Sequence, residues 1–87
     1  MATVVLPRSL IALFPGATRH EVVAGTTVSE LLVHLDRRIP GLRDRLADGR
    51  RLRPHINVYV DGQPADLATA VPEDAIVHVI PAVSGGA

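Results

Sequence analysis

The 87-residue sequence contains no cysteine and no tryptophan, and Phe14 and Tyr59 are its only phenylalanine and tyrosine. The lack of cysteine excludes disulfide bonds, thiolate metal sites and cysteine nucleophiles. The formal net charge is zero, so no overall field attracts phosphate backbones or anionic membranes. Because base stacking also needs aromatic side chains, neither nucleic acid nor a membrane is an expected partner.

Long apolar runs are missing as well. The stretch from Met1 to Phe14 is interrupted by Pro7 and Arg8, and no basic region precedes it. We therefore interpret it as neither a signal peptide nor a membrane span, and the cytoplasm is the expected location. The length predicts one domain with a small core of Val, Leu, Ile and Ala, in which a large enclosed active site is not expected.

The first half of the chain predicts two strands and a helix. The β-rich runs Thr3–Leu6 and Arg19–Ala24 are expected to pair as a loose hairpin. A Thr-x-x-Glu capping box, formed by Thr27 and Glu30, predicts a helix that begins at Val28. Apolar residues then recur at i, i+3, i+4 and i+7 and form a single stripe: Val28, Leu31, Leu32 and Leu35. A Pro-Gly pair ends this helix, and residues 42–46 are expected to form one more helical turn.

The second half of the chain predicts strands. Residues 56–60 alternate with period two and run into an Asp61-Gly62 hairpin turn. The short return strand must lie at a sheet edge, because Pro64 cannot donate to a ladder. Residues 75–80 form the last strand, whereas residues 50–54 are interpreted as a solvated connection. The order β, β, α, β, short β, β predicts an α+β fold, a mixed sheet of four to five strands packed on one main helix.

The titratable residues show no catalytic or metal-binding pattern. The four histidines have no metal-ligand spacing and fall on different predicted elements: His20, His34, His55 and His78. The carboxylates Asp36, Glu73 and Asp74 fit turn and helix-end positions. We therefore predict no metal site, and no cofactor is expected to bind the chain itself.

The chain closes with IPAVSGGA, residues 80–87. We predict a domain over residues 1–80 and a flexible tail over residues 81–87. Pro81 favours extended backbone and lacks an amide donor, so the last strand should end near it, and the tail to Gly86 would reach roughly 20 Å when extended. Two glycines allow a partner to approach the backbone closely. The residues predicted to enter a partner's active site are Pro81, Ala82, Val83, Ser84 and Gly85.

Three stretches carry a family resemblance: IPGLRDRL at 39–46, NVYVDG at 57–62 and IPAVSGG at 80–86. They resemble the ubiquitin-like, β-grasp sulfur-carrier proteins of the MoaD and ThiS type, and most nearly the CysO-like carriers. The resemblance covers nearly the whole chain, from Val4 to Gly86. A lone Gly-Gly pair is a weak signal, but Gly-Gly directly after Pro-Ala-Val-Ser, at the end of a β-grasp pattern, is specific.

The resemblance implies a protein cosubstrate that is not itself an enzyme. In the family, an ATP-dependent adenylating enzyme, MoeB-like or ThiF-like, activates the glycine carboxylate, which here is that of Gly86. A sulfur donor then displaces AMP and leaves a thiocarboxylate. A sulfur-accepting biosynthetic enzyme uses this group for products such as cysteine, molybdopterin, thiazole or a thio-containing natural product. ATP would thus be used by the activating enzyme.

Ala87 departs from the family pattern, because it follows Gly86 and holds the Gly86 carbonyl in an unreactive amide. Our hypothesis is that a peptidase removes Ala87 first, as a metalloprotease trims some relatives that carry such extensions. The alternative is that Ala87 is an artefact of the expressed sequence.

The alternation of the strands places Tyr59, His78 and Ile80 on the sheet face opposite the helix. Exposed apolar side chains there predict a docking surface for a partner protein. The alternative is that loops partly cover this face.

Two other functions stay open. A protein modifier would use the same activated tail to acylate lysines on targets, as some prokaryotic relatives do. The sequence itself has no lysine, so it could not form chains on itself, although base composition explains that absence more simply. The third reading is a β-grasp interaction domain, for example the small subunit of a heteromeric enzyme, in which Gly85 and Gly86 would be dispensable.

Overall fold

The computed structural model of the protein describes residues 1–81. In chain order its elements are β1 (Ala2–Val5), α1 (Arg8–Ile11), β2 (His20–Val23), α2 (Val28–Arg38), α3 (Leu42–Leu46), β3 (Ala47–Asp48), β4 (Arg51–Leu52), β5 (Ile56–Val60), β6 (Gln63–Ala65) and β7 (Ile76–Pro81).

Five strands form one mixed sheet in the order β2-β1-β7-β5-β6. β1 pairs with β7 in parallel, and the other neighbours are antiparallel. Asp61 and Gly62 have φ values of 48° and 84°, the left-handed pair that a tight hairpin turn needs. Pro64 lies on the edge strand β6, where its missing amide costs no ladder bond. The predicted mixed sheet is confirmed, with five strands.

Helix α2 begins at Val28, as the capping box predicts. Oγ1 of Thr27 accepts a hydrogen bond from the Glu30 amide at 3.2 Å. The Glu30 carboxylate in turn accepts from the amide and the hydroxyl of Thr26, at 2.6 and 2.8 Å, which ties down the approach to the helix. These bonds to the charged form lower the pKa of Glu30 below its ordinary value. The stripe predicted to be apolar is buried: Val28, Leu31, Leu32 and Leu35.

The core is one cluster of aliphatic side chains between α2 and the sheet. Leu42 and Leu46 of α3 close one end of it and are fully buried. Alternate residues of β5 and β7 point inward and meet the Leu stripe of α2: Ile56, Val58, Val60, Val77 and Val79. Burial of each such side chain contributes roughly 1.5–3 kcal/mol relative to exposure, so the fold needs no aromatic core.

Two local features differ from the sequence-based expectation. Residues 50–54 were expected to form a solvated connection, but β4 within them pairs with β3 in a small two-stranded sheet, with Ala47 opposite Leu52. Leu52 packs on the core cluster, which explains why this segment is ordered. Helix α1 was not predicted, because its four residues are too few to show a helical period. Its Leu10 is buried in the core.

Candidate functional site

The strand that leads to the Gly-Gly pair is β7, in the centre of the sheet. Its last residue, Pro81, pairs with Ile56 at the start of β5. β1 ends opposite His78, so the final residues of β7 extend beyond β1 and are paired with β5. The remaining residues of the predicted tail site lie outside the described residues, and their roles stay predictions: Ala82, Val83, Ser84, Gly85, Gly86 and the processing position Ala87.

The sheet face directed away from α2 carries the three residues predicted to dock a partner. Tyr59 and His78 are direct partners across β5 and β7, and Ile80 lies two residues further along β7, opposite Asn57. Tyr59 is half-buried, His78 is exposed and Ile80 is 46% exposed. The structure therefore brings the three side chains into one patch beside the end of β7, and their role in docking stays a prediction.

Two further exposed apolar residues share this face and were not predicted to belong to the patch. Thr3 pairs with both Val22 and Ile76, so these residues point to the same side of the sheet. Val22 is 59% exposed and Ile76 is 48% exposed. The alternation of β7 already puts Ile76 on the face of Ile80, whereas Val22 joins it only through the register of β1 and β2. We call the five residues the outer face: Val22, Tyr59, Ile76, His78 and Ile80.

Glu21 is buried on the opposite face of the sheet, with 3% exposure. Its carboxylate accepts hydrogen bonds from Nε and Nη2 of Arg38, at 2.6 and 3.2 Å. The amide and the hydroxyl of Thr18 donate to the same carboxylate, both at 2.8 Å. The Arg38 hydrogen bond, opposed by burial and helped by Thr18, lowers the pKa of Glu21 from 4.5 to about 2. A carboxylate held ionised in this way ties β2 to the end of α2 and has no proton to donate near neutral pH.

The histidines lie in different parts of the fold: His20 on β2, His34 on α2, His55 before β5 and His78 on β7. Among residues 1–81 no three His, Asp or Glu side chains are grouped closely enough to hold a metal ion. Nδ1 of His34 donates to the Ala24 carbonyl at 2.5 Å, which links α2 to the end of β2. In the same described region, no helix is both long and apolar enough to cross a membrane.

These parts combine a sheet with a central strand whose C-terminal end leads to the tail. A central strand, held by its neighbours, leads to the Gly-Gly sequence, and an apolar sheet face lies beside it. This geometry can present a chain end to another protein.

The model of the ThiS family matches residues 5–86. The chain belongs to this family. Small archaeal modifier protein 3 from Haloferax volcanii is similar to it as well, with 34% identity over 64 residues that make up 69% of this chain and 70% of the relative. The family match includes every residue of the predicted tail site up to Gly86.

Solved structures of similar chains share the fold closely. A chain of the Amycolatopsis orientalis BexX/CysO complex superposes with a TM-score of 0.90 at 29% identity, covering 99% of this chain and all of that one (100%). Mycobacterium tuberculosis CysO gives a TM-score of 0.85 at 27% identity, with 95% and 100% covered. SAMP1 from Haloferax volcanii gives 0.74 at 31% identity, with 98% of each chain covered. The predicted β-grasp fold and the resemblance to ubiquitin-like carriers of the MoaD and ThiS type are confirmed.

Proposed function

We propose that the chain is a sulfur carrier whose reactive group is the carboxylate of Gly86. The observation that carries the proposal is the extent of the ThiS-family match, which runs through Gly85 and Gly86. The similarity to CysO supports the same reading. In this role the chain is a substrate shared by two enzymes, which recognise the folded domain while the tail reacts.

The chemistry begins with a carboxylate that is a poor electrophile. A MoeB-like or ThiF-like adenylating enzyme joins a carboxylate oxygen of Gly86 to the α-phosphorus of ATP, and pyrophosphate leaves. Hydrosulfide then attacks the acyl carbon through its sulfur, the bond between the acyl carbon and the AMP oxygen breaks, AMP leaves, and a thiocarboxylate remains. ATP is bound by the activating enzyme, and this chain supplies only the acyl group.

Ala87 must be removed before this reaction, because its peptide bond occupies the carbonyl of Gly86. We assign the removal to a peptidase, of the metalloprotease class that the family resemblance implies. Adenylation of a chain that still ends in Ala87 would contradict this step, since the acyl group would then belong to alanine.

The outer face is the surface proposed to dock the activating enzyme. Ile80 lies at the end of this face nearest Pro81, so a partner bound here would lie close to the residue at which the tail begins. Tyr59 and His78 extend the contact towards β5. Burial of exposed apolar area of this kind favours association.

The second enzyme of the cycle accepts the sulfur. The structure of the BexX/CysO complex contains a similar chain together with a partner, which supports carrier–enzyme pairing in this family. For the present chain, the acceptor is proposed as a biosynthetic enzyme that holds the tail and uses the thiocarboxylate sulfur as a nucleophile.

A protein modifier is the second candidate, favoured by the similarity to small archaeal modifier protein 3. The same acyl adenylate would then be captured by a lysine amine on a target and give an isopeptide bond. In a third case, the chain is a non-catalytic subunit of a heteromeric enzyme, and deletion of Gly85 and Gly86 would leave activity intact.

The test uses chains that end at Gly86 or at Ala87, each incubated with the activating enzyme, ATP and a sulfide source. Intact mass spectrometry should show replacement of one oxygen by sulfur in the Gly86 chain and no change in the Ala87 chain. Adducts linked through lysine of other proteins, without sulfur incorporation, would favour the modifier instead.

A further inference from the structure

A groove lies between α1, α3 and the segment that precedes β5. Its larger part has a volume of about 630 Å³, and its smaller part about 160 Å³. The two parts share Leu13, Arg45 and His55, so they form one continuous surface. The smaller part is also lined by Pro81, the last residue of β7. We call this surface the basal groove; it contains none of the outer-face residues.

The basal groove carries excess positive charge. Arg45 and Arg53 line its larger part against one acidic residue, Asp44. Arg53 is already engaged, because its Nε donates to the Asp44 carbonyl at 2.6 Å and its amide donates to the Leu46 carbonyl at 2.9 Å. These two bonds hold the end of α3 in place.

Arg45 and His55 carry side-chain donors that no residue among 1–81 uses. Both are exposed, and neither side chain has a hydrogen bond or ion pair with any described residue. A guanidinium offers up to five N–H donors and an imidazole at least one. Arg45 and His55 line both the larger and the smaller part of the groove, so their donors lie where the two parts meet.

The groove also has an apolar wall beside these donors. Leu13 is 52% exposed, and Phe14 is half-buried and packs against the core cluster. Pro7 and Leu10 continue the wall in the smaller part. An aliphatic or aromatic side chain would bury Leu13, whereas a nucleotide would find little flat aromatic surface on which to stack.

We propose that the basal groove binds an acidic segment of a partner protein. One apolar side chain of that segment packs against Leu13 and Phe14, and neighbouring carboxylates accept hydrogen bonds from Arg45 and His55. Charge complementarity selects the acidic segment, because Arg45 is cationic and the groove is lined by two arginines against one aspartate. Since the groove reaches Pro81, the partner is the enzyme that takes up the tail; this last clause rests on the proposed function.

The test starts from a phage-displayed library of random peptides, selected on the intact chain. Selected peptides should be rich in Asp and Glu around a Leu, Phe or Trp. A synthetic selected peptide should shift the NMR signals of Leu13, Phe14 and His55. Selection of peptides without acidic enrichment, or shifts confined to Val22, Ile76 and Ile80, would overturn the proposal.

Charge reversal supplies the matched comparison. Arg45→Glu and His55→Glu should each weaken binding of the selected peptide about tenfold or more, since a charge-assisted contact is replaced by repulsion. Arg50→Glu makes the same charge change as Arg45→Glu at an exposed site that lines a separate groove with Ser29, and it should leave the affinity within about twofold. Equal losses in Arg45→Glu and Arg50→Glu would show a nonspecific charge effect and contradict the groove assignment.

Nucleotides provide the competing outcome. AMP or ATP titrated into the chain should not shift the NMR signals of the groove residues. If either nucleotide bound, and Arg45→Glu abolished that binding, the ligand of the groove would be a phosphate compound and the peptide proposal would be wrong. Sulfur transfer at Gly86 is measured separately, so a chain that is adenylated but binds no acidic peptide refutes the groove proposal alone. A chain that binds the peptide but is never adenylated refutes the proposed function.

Discussion

Arg38, the last residue of α2, donates a 2.6 Å hydrogen bond to the buried carboxylate of Glu21 on β2. Glu21 faces the core side of the sheet, where a charge without partners would be costly. The guanidinium and the two Thr18 donors together satisfy it. This contact joins the helix to the edge strand farthest from β6 and so fixes how the helix sits across the sheet.

Glu21→Gln should reduce the free energy of unfolding at neutral pH by about 2 kcal/mol. The glutamine NH₂ group would replace one carboxylate oxygen and face the donors of Thr18 and Arg38, and the neutral amide cannot form an ion pair with Arg38. The full pKa shift of Glu21 would correspond to a somewhat larger loss of unfolding free energy, but the Arg38 side chain is 54% exposed and solvent weakens the ion pair. Urea denaturation at pH 7 measures the change. Arg37→Gln, at an exposed position on the same helix, is the control and should cost less than about 0.5 kcal/mol.

The same pair predicts a pH dependence of stability. The pKa of Glu21 is lowered from 4.5 to about 2, so the stabilisation is present above pH 4.5 and is lost as the pH falls towards 2. The difference in unfolding free energy between wild type and Glu21→Gln should therefore shrink to about half or less near pH 3. A difference that stays constant from neutral pH down to that point would show that packing, and not ionisation, accounts for the effect.

Leu35→Ala should reduce the free energy of unfolding by about 2–5 kcal/mol, because Leu35 has 0% exposure and its removal leaves a cavity in the aliphatic core. Val33→Ala on the same helix removes an exposed side chain and should change stability by less than about 0.5 kcal/mol. Thermal unfolding followed by circular dichroism compares the two. Similar losses in both variants would mean that helix propensity, and not burial, determines the stability of α2.

Gly41→Ala and Gly16→Ala separate backbone strain from side-chain crowding. The two glycines have nearly equal positive φ values, 94° and 93°, so alanine meets positive-φ strain at both, about 1 kcal/mol at each. A Cβ at Gly41 would lie 3.2 Å from the Phe14 ring, whereas one at Gly16 would meet nothing within 4 Å. Chemical denaturation should therefore show the larger loss in Gly41→Ala. Equal losses would contradict the close contact with Phe14.

Ile80→Glu should weaken binding of the activating enzyme about tenfold or more while the domain stays folded, because Ile80 is an exposed outer-face residue beside the tail. Val33→Glu adds the same charge at an exposed apolar position on α2, away from the outer face, and should bind normally. Isothermal titration calorimetry measures both affinities. Unchanged affinity of Ile80→Glu would remove the outer face from the docking model.

The larger elements could be predicted from the sequence because their signals are local. Thr27 and Glu30 mark the helix start, the Leu stripe marks its buried face, and Asp61-Gly62 marks the hairpin. The β3–β4 pairing has no such signal, since each strand has two residues and the pairing is supported by tertiary contacts, namely packing of Leu52 on the core and a hydrogen bond from Arg43 to the Gly49 carbonyl. Helix α1 has only four residues, and Leu10 is the one it buries in the core.

In the candidate site, too, residues with a local sequence signal could be predicted, whereas those brought together only by the tertiary fold could not. Alternation along β5 and β7 was enough to place Tyr59, His78 and Ile80 on one face. Val22 required the register between β1 and β2, which alternation within one strand does not contain. The ion pair of Glu21 and Arg38 joins residues 17 apart in sequence, and the basal groove joins α1, α3 and the end of β7. Such contacts depend on the tertiary arrangement and have no local pattern.

The most direct test of the sulfur-carrier account is the intact mass of the protein purified from the cells that make it. The account predicts that Ala87 is missing and that a fraction of the chains ending at Gly86 carries sulfur in place of one carboxylate oxygen. That fraction should disappear when the adenylating enzyme is deleted. A chain that retains Ala87 in active cells, with no sulfur at its terminus, would contradict the account.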